Sequence, residues 1–366
     1  MKRLSRRRLL AGAGLGFTSM IAGCLEDPGQ FTGRSSAETT YTESTDVGLP
    51  TADDRLPLEY DREHLRENVA SGGVSKDGIP SIDDPVFESV ADVGDRIDDG
   101  EPVFGVRRNG VVRAYPQHIL VTREIVNDEF DGEQVAVTYC PLTGTAMGFE
   151  RGEVEFGVSG RLLNNNLVMY DRATDSRWPQ MLATAIEGPF DGESLEEVPV
   201  QWSTWERWRA AYPETEVLTI DTTYIRDYGD DPYGSYDPPT GYYAEDSSPM
   251  FEPLTEDDRY PPKRMVLGAR PADGPLAVDR ESLRTAGVLE IDREGTRYVA
   301  VHEPETDGAI LYHNPDGIAY SWDDGRVIDG EDTTHEPADL PLERVYAFDA
   351  MWFAWVGYYP STSVHE

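Results

Sequence analysis

The sequence predicts an α+β, strand-rich fold in which two tandem related halves, produced by an internal duplication, pack into one compact unit. Short apolar runs separated by Gly, Pro, Asn and Asp recur along the chain and are typical of strands joined by turns. Two blocks of sequence recur downstream at constant spacing. The length of 366 residues is enough to bury either one large core or two smaller ones.

The charge balance predicts a protein that stays soluble in concentrated salt. The formal net charge is −37, and lysine occurs only at Lys2, Lys76 and Lys263, so almost every basic residue is arginine. Dissolved ions screen the self-repulsion of such a chain, as a halophile's protein requires. Acidic chains can also be disordered, but seven Trp, 19 Tyr and 11 Phe favour a packed core. This surface charge makes nucleic acid and anionic lipid poor partners, and no nucleic-acid partner is expected.

The N-terminus resembles an export signal with a lipid-attachment site, and residues 1–23 are expected to be removed. Residues 5–10, SRRRLL, match a twin-arginine signal, and the apolar run that follows is too short for a stable membrane-spanning helix. Residues 21–24, IAGC, resemble a lipobox, so Cys24 is the expected lipidation site. The alternative is an ordinary N-terminal anchor with a chance cysteine. The lipoprotein interpretation places the protein on the outer face of the cell membrane, with the lipid anchor as its membrane partner.

The following segments are assigned in chain order. Residues 24–55 are rich in Ser, Thr, Glu and Gly and predict a flexible tether. A short helix is expected over Leu58–Val69, whereas Pro80 and Pro85 exclude a helix between residues 71 and 87. From residue 101 the pattern predicts strands, with a hairpin turn at residues 108–110, RNG. One or two helical turns are expected over Gln117–Val126.

An internal repeat divides the remainder of the chain. At an offset of 163 residues, a set of residues in the first block recurs identically and without a gap in the second half. At an offset of 147, a W-x-x-W pair and a Y-P-x-T-x-V run recur together, so duplication is favoured over chance similarity. The first block aligns Val103, Gly105, Arg107, Ala114, Leu120 and Thr122 with Val266, Gly268, Arg270, Ala277, Leu283 and Thr285. The second block aligns Trp205, Trp208, Tyr212, Pro213 and Thr215 with Trp352, Trp355, Tyr359, Pro360 and Thr362.

These offsets define three domain assignments and one expectation about packing. Residues 56–235 form the first repeat, 236–262 form a Pro-rich acidic connecting loop, and 263–366 form a second, shorter and degenerate repeat. The insertion Leu218–Lys263 has no counterpart at the C-terminus, so it is expected to fold over the first repeat. The two halves are expected to pack around a pseudo-twofold axis.

The candidate site lies between Gln134 and Gln180 in the first repeat. With Cys24 lipidated, Cys140 is the remaining thiol, and it is the candidate catalytic residue. Polar residues in and around this stretch are the candidate ligand-binding residues. They are Asn127, Thr143, Thr145, Ser159, Asn164, Asn165, Asn166, Tyr170, Arg172, Arg226 and Asp227.

Each candidate also has a structural interpretation. Free cysteine is usually a buried small hydrophobe, so Cys140 is either that or a thiolate nucleophile or soft-metal ligand. The Asn164–Asn166 triplet forms either a turn or the wall of a polar pocket. The neighbouring pairs Asp171 with Arg172 and Arg226 with Asp227 suit Arg–Asp clamps of loops. The six histidines show no metal-ligand spacing, and the cofactor is unknown.

Several motifs resemble the DUF3179 domain-containing proteins, a family whose biochemical function is uncharacterised. They are SGGVSKDGIP, RAYPQHIL, EIVND, VTYCPLTGTA, FGVSGRLLNNNLVMYDR, TTYIRDYGDDPYGSY and RYPPKRMVLGA, and they cover most of residues 71–268. That family often has C-P-L-C-G-T and a His before E-I-V-N-D, where this chain has Thr143 and Arg123. A dithiol or CxxC metal role therefore does not carry over.

Three functional hypotheses follow. The first is a ligand-binding or structural lipoprotein with a small polar or anionic ligand held in the first repeat. The second is a thiol-dependent enzyme in which Cys140 is nucleophile or ligand. The third is a single-thiol Cu(I) or haem-associated protein. They differ in whether the Cys140 thiol is accessible to reagents in the folded protein. The most useful structural observation is whether Cys140, Asn127, the Asn triplet and Arg226 converge on one cavity.

Overall fold

Short strands dominate the computed structural model, which describes residues 40–221, 228–229 and 231–366. The signal segment and Cys24 lie outside the described residues. Two 3₁₀ turns occupy Gln180–Leu182 and Pro337–Asp339. The α-helices of the described part are α1 (Arg62–Glu67), α2 (Val90–Val93), α3 (Gln117–Leu120), α4 (Trp205–Ala211), α5 (Arg280–Ala286) and α6 (Trp352–Tyr358).

The strands fall into two series along the chain. The earlier series is β1 (Ala70–Ser71), β2 (Phe87–Ser89), β3 (Pro102–Arg108), β4 (Val111–Pro116), β5 (Ile125–Phe130), β6 (Glu133–Cys140), β7 (Thr145–Glu150), β8 (Phe156–Leu163), β9 (Asn166–Asp171), β10 (Arg177–Pro179), β11 (Glu197–Val198), β12 (Gln201–Thr204), β13 (Glu216–Leu218), β14 (Gly234–Tyr236) and β15 (Pro239–Gly241). The later series is β16 (Met265–Ala269), β17 (Leu276–Asp279), β18 (Val288–Arg293), β19 (Thr296–Glu303), β20 (Gly308–His313), β21 (Tyr320–Asp323), β22 (Arg326–Asp329), β23 (Thr334–His335), β24 (Glu343–Val345), β25 (Ala347–Met351) and β26 (Ser363–His365).

Both series build two sheets whose corresponding strands have the same order, and the first sheet of the earlier series has one further edge strand, β2. The earlier series gives β12-β3-β4-β13-β2 and β11-β7-β6-β5, and the later gives β25-β16-β17-β26 and β24-β20-β19-β18. In each, one pair is parallel, β4 with β13 and β17 with β26. The register agrees as well, because Gln201 pairs with Gly105 and Phe348 pairs with Gly268.

A tryptophan covers a strand glycine in each half. A Cβ on Gly105 would lie 2.1 Å from the Trp208 ring, and one on Gly268 would lie 2.2 Å from the Trp355 ring. The indole N–H of each tryptophan donates to a threonine hydroxyl at 3.0 Å, Thr215 in the first half and Thr362 in the second. The i, i+3 Trp pairs of α4 and α6 are fully buried and serve as core, as the sequence predicted.

The halves differ between their two shared blocks. The first half carries the sheet β1-β8-β9-β10, whereas the second carries the smaller sheet β21-β22-β23. The largest apolar cluster draws on both halves, including Trp178 and Cys140 from the first and Trp355 from the second. The protein is therefore strand-rich and compact between Tyr41 and Glu366.

The predicted hairpin turn and the two predicted helices are present, but the helices are shorter than predicted. Asn109 and Gly110 have φ of 52° and 78°, so the predicted hairpin turn between β3 and β4 is confirmed. The Leu58–Val69 helix shortens to α1, because Asp61 caps it by accepting from the His64 N–H at 2.8 Å. The expected helix after residue 116 is the single turn α3.

The last part of the segment assigned as a tether lies against the folded body. The Thr42 N–H donates to the Ala173 carbonyl at 2.9 Å, and Thr51 bridges to Leu195. Leu49 is buried in the largest apolar cluster. In the described part of the chain, no helix is both long enough and apolar enough to cross a membrane.

Candidate functional site

Cys140 ends β6 inside the core, where it is 1% exposed. Its Sγ lies 3.6 Å from the Asn165 carbonyl oxygen. Burial raises the pKa of the Cys140 thiol to about 11, and the negative charge of Glu124 adds to the rise. The thiol is free and protonated at neutral pH, so the structure favours the small-hydrophobe interpretation of this residue.

Lys263 is the ionisable group that sequence reasoning missed near Cys140. Its side chain is 4% exposed, and its Nζ has no hydrogen-bond partner among the described residues. The Nζ lies 3.2 Å from the Tyr242 ring centroid and 4.4 Å from that of Phe353. Burial lowers the pKa of Lys263 to about 7, although the electrostatic effect of Cys140 opposes that shift. Its rarity in an arginine-rich chain was the available signal, because lysine occurs at only three positions.

Tyrosines of the segment Leu218–Lys263 cover the Cys140 turn. The Tyr236 hydroxyl lies 3.1 Å from that of Tyr139, and the Tyr242 hydroxyl donates to the Leu142 carbonyl at 2.9 Å. The rings of Tyr236 and Tyr243 stack with centroids 3.9 Å apart. The turn after β6 is thereby enclosed by tyrosines.

The Asn triplet forms the turn between β8 and β9, and its amides hold other segments in place. Asn164 and Asn165 have φ of 52° and 62°, the left-handed region that asparagine tolerates. Asn164 donates to the Ala354 carbonyl at 2.8 Å and accepts from the Leu254 N–H at 3.0 Å. Asn165 exchanges two hydrogen bonds with the backbone of Phe251. Both side chains are occupied as structural clamps.

Asn166 belongs to a buried polar network with the two threonines of the Cys140 turn. Its side-chain amide donates to the Thr143 hydroxyl at 3.1 Å and to the side-chain amide oxygen of Gln180, Oε1, at 2.8 Å. The Thr145 hydroxyl donates to the Thr143 carbonyl at 3.1 Å, and Gln180 donates to the Thr145 carbonyl at 3.2 Å. These groups satisfy one another within the protein.

The other predicted residues gather around Asp83 and Asp77, away from this network. Asn127 donates to Asp83 at 2.8 Å, and Arg172 pairs with the other oxygen of that carboxylate at 2.8 Å. The Tyr170 hydroxyl donates to Asp77 at 2.6 Å.

The Ser159 hydroxyl donates to the Val168 carbonyl within the β8–β9 hairpin. Arg226 and Asp227 lie outside the described residues, so their place is not described. Among the residues that are described, no group of three or more His, Cys, Asp and Glu side chains is arranged to hold a metal ion.

A cleft of about 400 Å³ lies between the two halves. Its apolar wall includes Leu267, Ile310 and Phe348. The hydroxyl of Tyr346 is buried there and makes no hydrogen bond within the described chain. This volume suits a small organic molecule.

Charged and polar groups occupy the rest of the cleft. Glu197 on its wall pairs with the buried Arg270 at 2.6 Å, which joins the first half to the second. Burial raises the pKa of Tyr346, so this hydroxyl remains protonated. Arg107 and Arg344 also line the cleft, and both are exposed.

Comparison with known proteins gives one match. The family model described as "Protein of unknown function (DUF3179)" matches residues 76–362. No curated protein and no solved structure matches the chain.

Proposed function

The chain belongs to the DUF3179 family of proteins of unknown function, and for this member we propose a membrane-anchored extracytoplasmic lipoprotein that binds a small polar or anionic ligand. The ligand occupies the cleft between the two halves. The observation that carries the proposal is the cleft itself, with its apolar wall, two arginines and the unpartnered Tyr346 hydroxyl. Few convergent polar groups on an otherwise apolar surface are characteristic of ligand sites.

The geometry favours the cleft over the region around Cys140. The amides of Asn164, Asn165 and Asn166 are already bonded to protein groups. A ligand there would have to break those hydrogen bonds before making its own, at a cost of about 1–3 kcal/mol for each buried group left unsatisfied. In the cleft, a ligand can bind polar groups without first breaking hydrogen bonds within the protein.

An internal duplication accounts for where the cleft lies. The identical strand order and register of the two halves support it, together with the Gly–Trp–Thr arrangement that recurs in each. β25 of the second half contacts β7 of the first, and β12 contacts β20 in return. The cleft opens along this reciprocal contact, where two related surfaces meet but are no longer alike in sequence.

Binding is tested by thermal unfolding of the full-length protein against a panel of small acids, amines, sugars and amino acids. Ala309 lines the cleft, so Ala309→Phe fills it and is expected to abolish the rise in melting temperature given by a ligand. The matched control is Ala210→Phe on the exposed surface of α4. If no compound class raises the melting temperature of the wild type, the ligand-binding proposal fails.

The membrane anchor follows from the twin-arginine run and the lipobox ending at Cys24. It is tested by cell fractionation and mass spectrometry of the protein's N-terminus. The wild type is expected in the membrane fraction with a lipid on Cys24, and Cys24→Ala is expected in the medium. Recovery of Cys24→Ala with the membranes would contradict the lipid anchor.

A second candidate function is thiol chemistry at Cys140, and one observation favours it. Lys263 carries an unbonded amine whose pKa is lowered to about 7 by burial, so at neutral pH it can accept a proton. Alkylation of Cys140 by iodoacetamide in the folded protein tests this. Fast alkylation that slows in Lys263→Met would support a thiol-dependent enzyme or a soft-metal ligand, whereas modification only after denaturation would reject both.

A further inference from the structure

The two halves place different residues at corresponding positions of the cleft. The offsets that align the halves match Arg107 with Arg270 and Glu197 with Arg344. The strand register agrees, because Glu197 pairs with Phe149 and Arg344 pairs with Tyr312. Phe149 and Tyr312 are themselves related by the offset of 163. Arg107 and Arg344 therefore occupy the positions that correspond to Arg270 and Glu197. The buried pair consists of an arginine and a glutamate, whereas its counterpart consists of two arginines.

Neither arginine of the counterpart is neutralised by the protein. In the described part of the chain, no carboxylate forms an ion pair with Arg107 or with Arg344. The Arg107 guanidinium lies 4.9 Å from the Tyr212 ring centroid. The Arg344 guanidinium donates one hydrogen bond to the Ala338 carbonyl. Most of their N–H donors remain available, and each guanidinium presents five.

The carboxylates of the cleft are engaged elsewhere. Glu197 pairs with Arg270 at 2.6 Å, and Asp349 lies 3.0 Å from Arg280. Glu303 accepts from the Thr306 hydroxyl at 2.6 Å. Glu303 has only neutral donors, so among the described residues the cleft holds two arginines without a carboxylate partner and one carboxylate without a cationic partner. A carboxylate from outside the chain can pair with guanidinium N–H groups that the protein leaves without a partner.

We propose that Arg107 and Arg344 hold the carboxylate of a ligand, in the place that corresponds to the Glu197 side chain beside Arg270. The inference rests on the proposed function and names the ligand class for the same cleft. The apolar wall receives the body of the ligand. The ligand class is a small amphiphilic carboxylate, which a guanidinium recognises through paired N–H···O bonds.

The test is calorimetric titration of the full-length protein at constant ionic strength with benzoate, and with benzamide as its neutral match. Benzoate is expected to bind and benzamide to give no signal. Arg344→Glu supplies the missing internal carboxylate, so it is expected to weaken benzoate binding by more than about tenfold while leaving the melting temperature equal or higher. Arg344→Gln is expected to weaken binding without raising the melting temperature.

The matched control is Arg161→Glu, since Arg161 is also exposed and forms no ion pair with a described residue. It makes the same change of charge outside the cleft and is expected to bind benzoate as the wild type does. Equal binding of benzoate by Arg344→Glu and wild type would overturn the inference, as would equal binding of benzamide. Absence of benzoate binding to the wild type would also overturn the inference. Binding of a neutral ligand that is lost in Ala309→Phe would leave the proposed function standing.

Discussion

The guanidinium of Arg270 lies 2.6 Å from the carboxylate of Glu197, and the side chains are only 3% and 9% exposed. Arg270 follows β16 in the second half, and Glu197 begins β11 in the first. The pair therefore ties the halves together at the edge of the cleft. Two further guanidinium atoms of Arg270, Nε and Nη1, have no hydrogen-bond partner in the described structure, so Glu197 is its main compensation.

Removing one partner of this pair is expected to destabilise the protein strongly. Glu197→Gln leaves the buried Arg270 charge uncompensated, and the expected loss in free energy of unfolding is about 3–5 kcal/mol. The double variant Glu197→Leu with Arg270→Met removes both charges and is expected to recover most of that loss. Denaturant unfolding measures both. A double variant as unstable as Glu197→Gln would show that packing, not the uncompensated charge, causes the loss.

Alanine at the two covered glycines is expected to destabilise both halves. The added methyl of Gly105→Ala would lie 2.1 Å from Trp208, and that of Gly268→Ala would lie 2.2 Å from Trp355, so each indole must move. Overpacking of this kind costs about 1–3 kcal/mol at each site. Gly330→Ala is the control, because its Cβ meets nothing closer than 3.7 Å. The measurement is the melting temperature of the three variants. A Gly105→Ala variant as stable as the wild type would contradict the tight packing of Trp208 on Gly105.

The sequence predicted the parts of this fold that depend on local chemistry. The Asn109-Gly110 turn and the Trp pairs of α4 and α6 carry their signal within a few residues. The sequence does not decide whether the Asn triplet forms a turn or lines a pocket, because both need the same short polar side chains. Only the distant partners Ala354 and Phe251 show what its amides do.

The cleft could not be predicted because its residues come together from both halves. Arg344 was overlooked for a specific reason: a search for repeats scores positions that agree, and Arg344 aligns with the unlike Glu197. Lys263 was overlooked because its environment is made by Tyr242 and Phe353. Burial and charge pairing are properties of the folded chain, and they decide which polar residues remain available.

Truncation of Asn164 is expected to loosen the contact between the β8–β9 turn and α6. Asn164→Ala removes the acceptor of the Leu254 N–H and the donor to the Ala354 carbonyl, leaving both backbone groups unsatisfied. The expected cost is about 2–6 kcal/mol, counted as two buried backbone groups left unsatisfied. Asn109→Ala is the control, because Asn109 has the same φ of 52° but is exposed. Equal losses in chemical unfolding would assign the effect to backbone strain alone.

Lys263 is expected to make the stability of the protein rise with pH above neutrality. Burial lowers its pKa in the folded state to about 7, from the ordinary value of 10.5. Between these values the unfolded chain binds a proton that the folded chain does not, so the free energy of unfolding increases with pH. The full difference amounts to roughly 5 kcal/mol at most, and below the folded pKa the slope disappears.

The measurement compares the wild type with Lys263→Met across pH 7–10 by denaturant unfolding. Methionine keeps the apolar length of the side chain beside Tyr242 and Phe353 but cannot titrate, so the pH-dependent part assigned to Lys263 should vanish. At pH 7 the variant is expected to be more stable than the wild type, because a buried amine without an acceptor is replaced by an apolar group. The titration of other groups is common to both proteins and cancels in the difference. Identical pH profiles would show that the Lys263 amine is hydrated in the folded protein, and its place beside the Cys140 turn would then be open to small reagents.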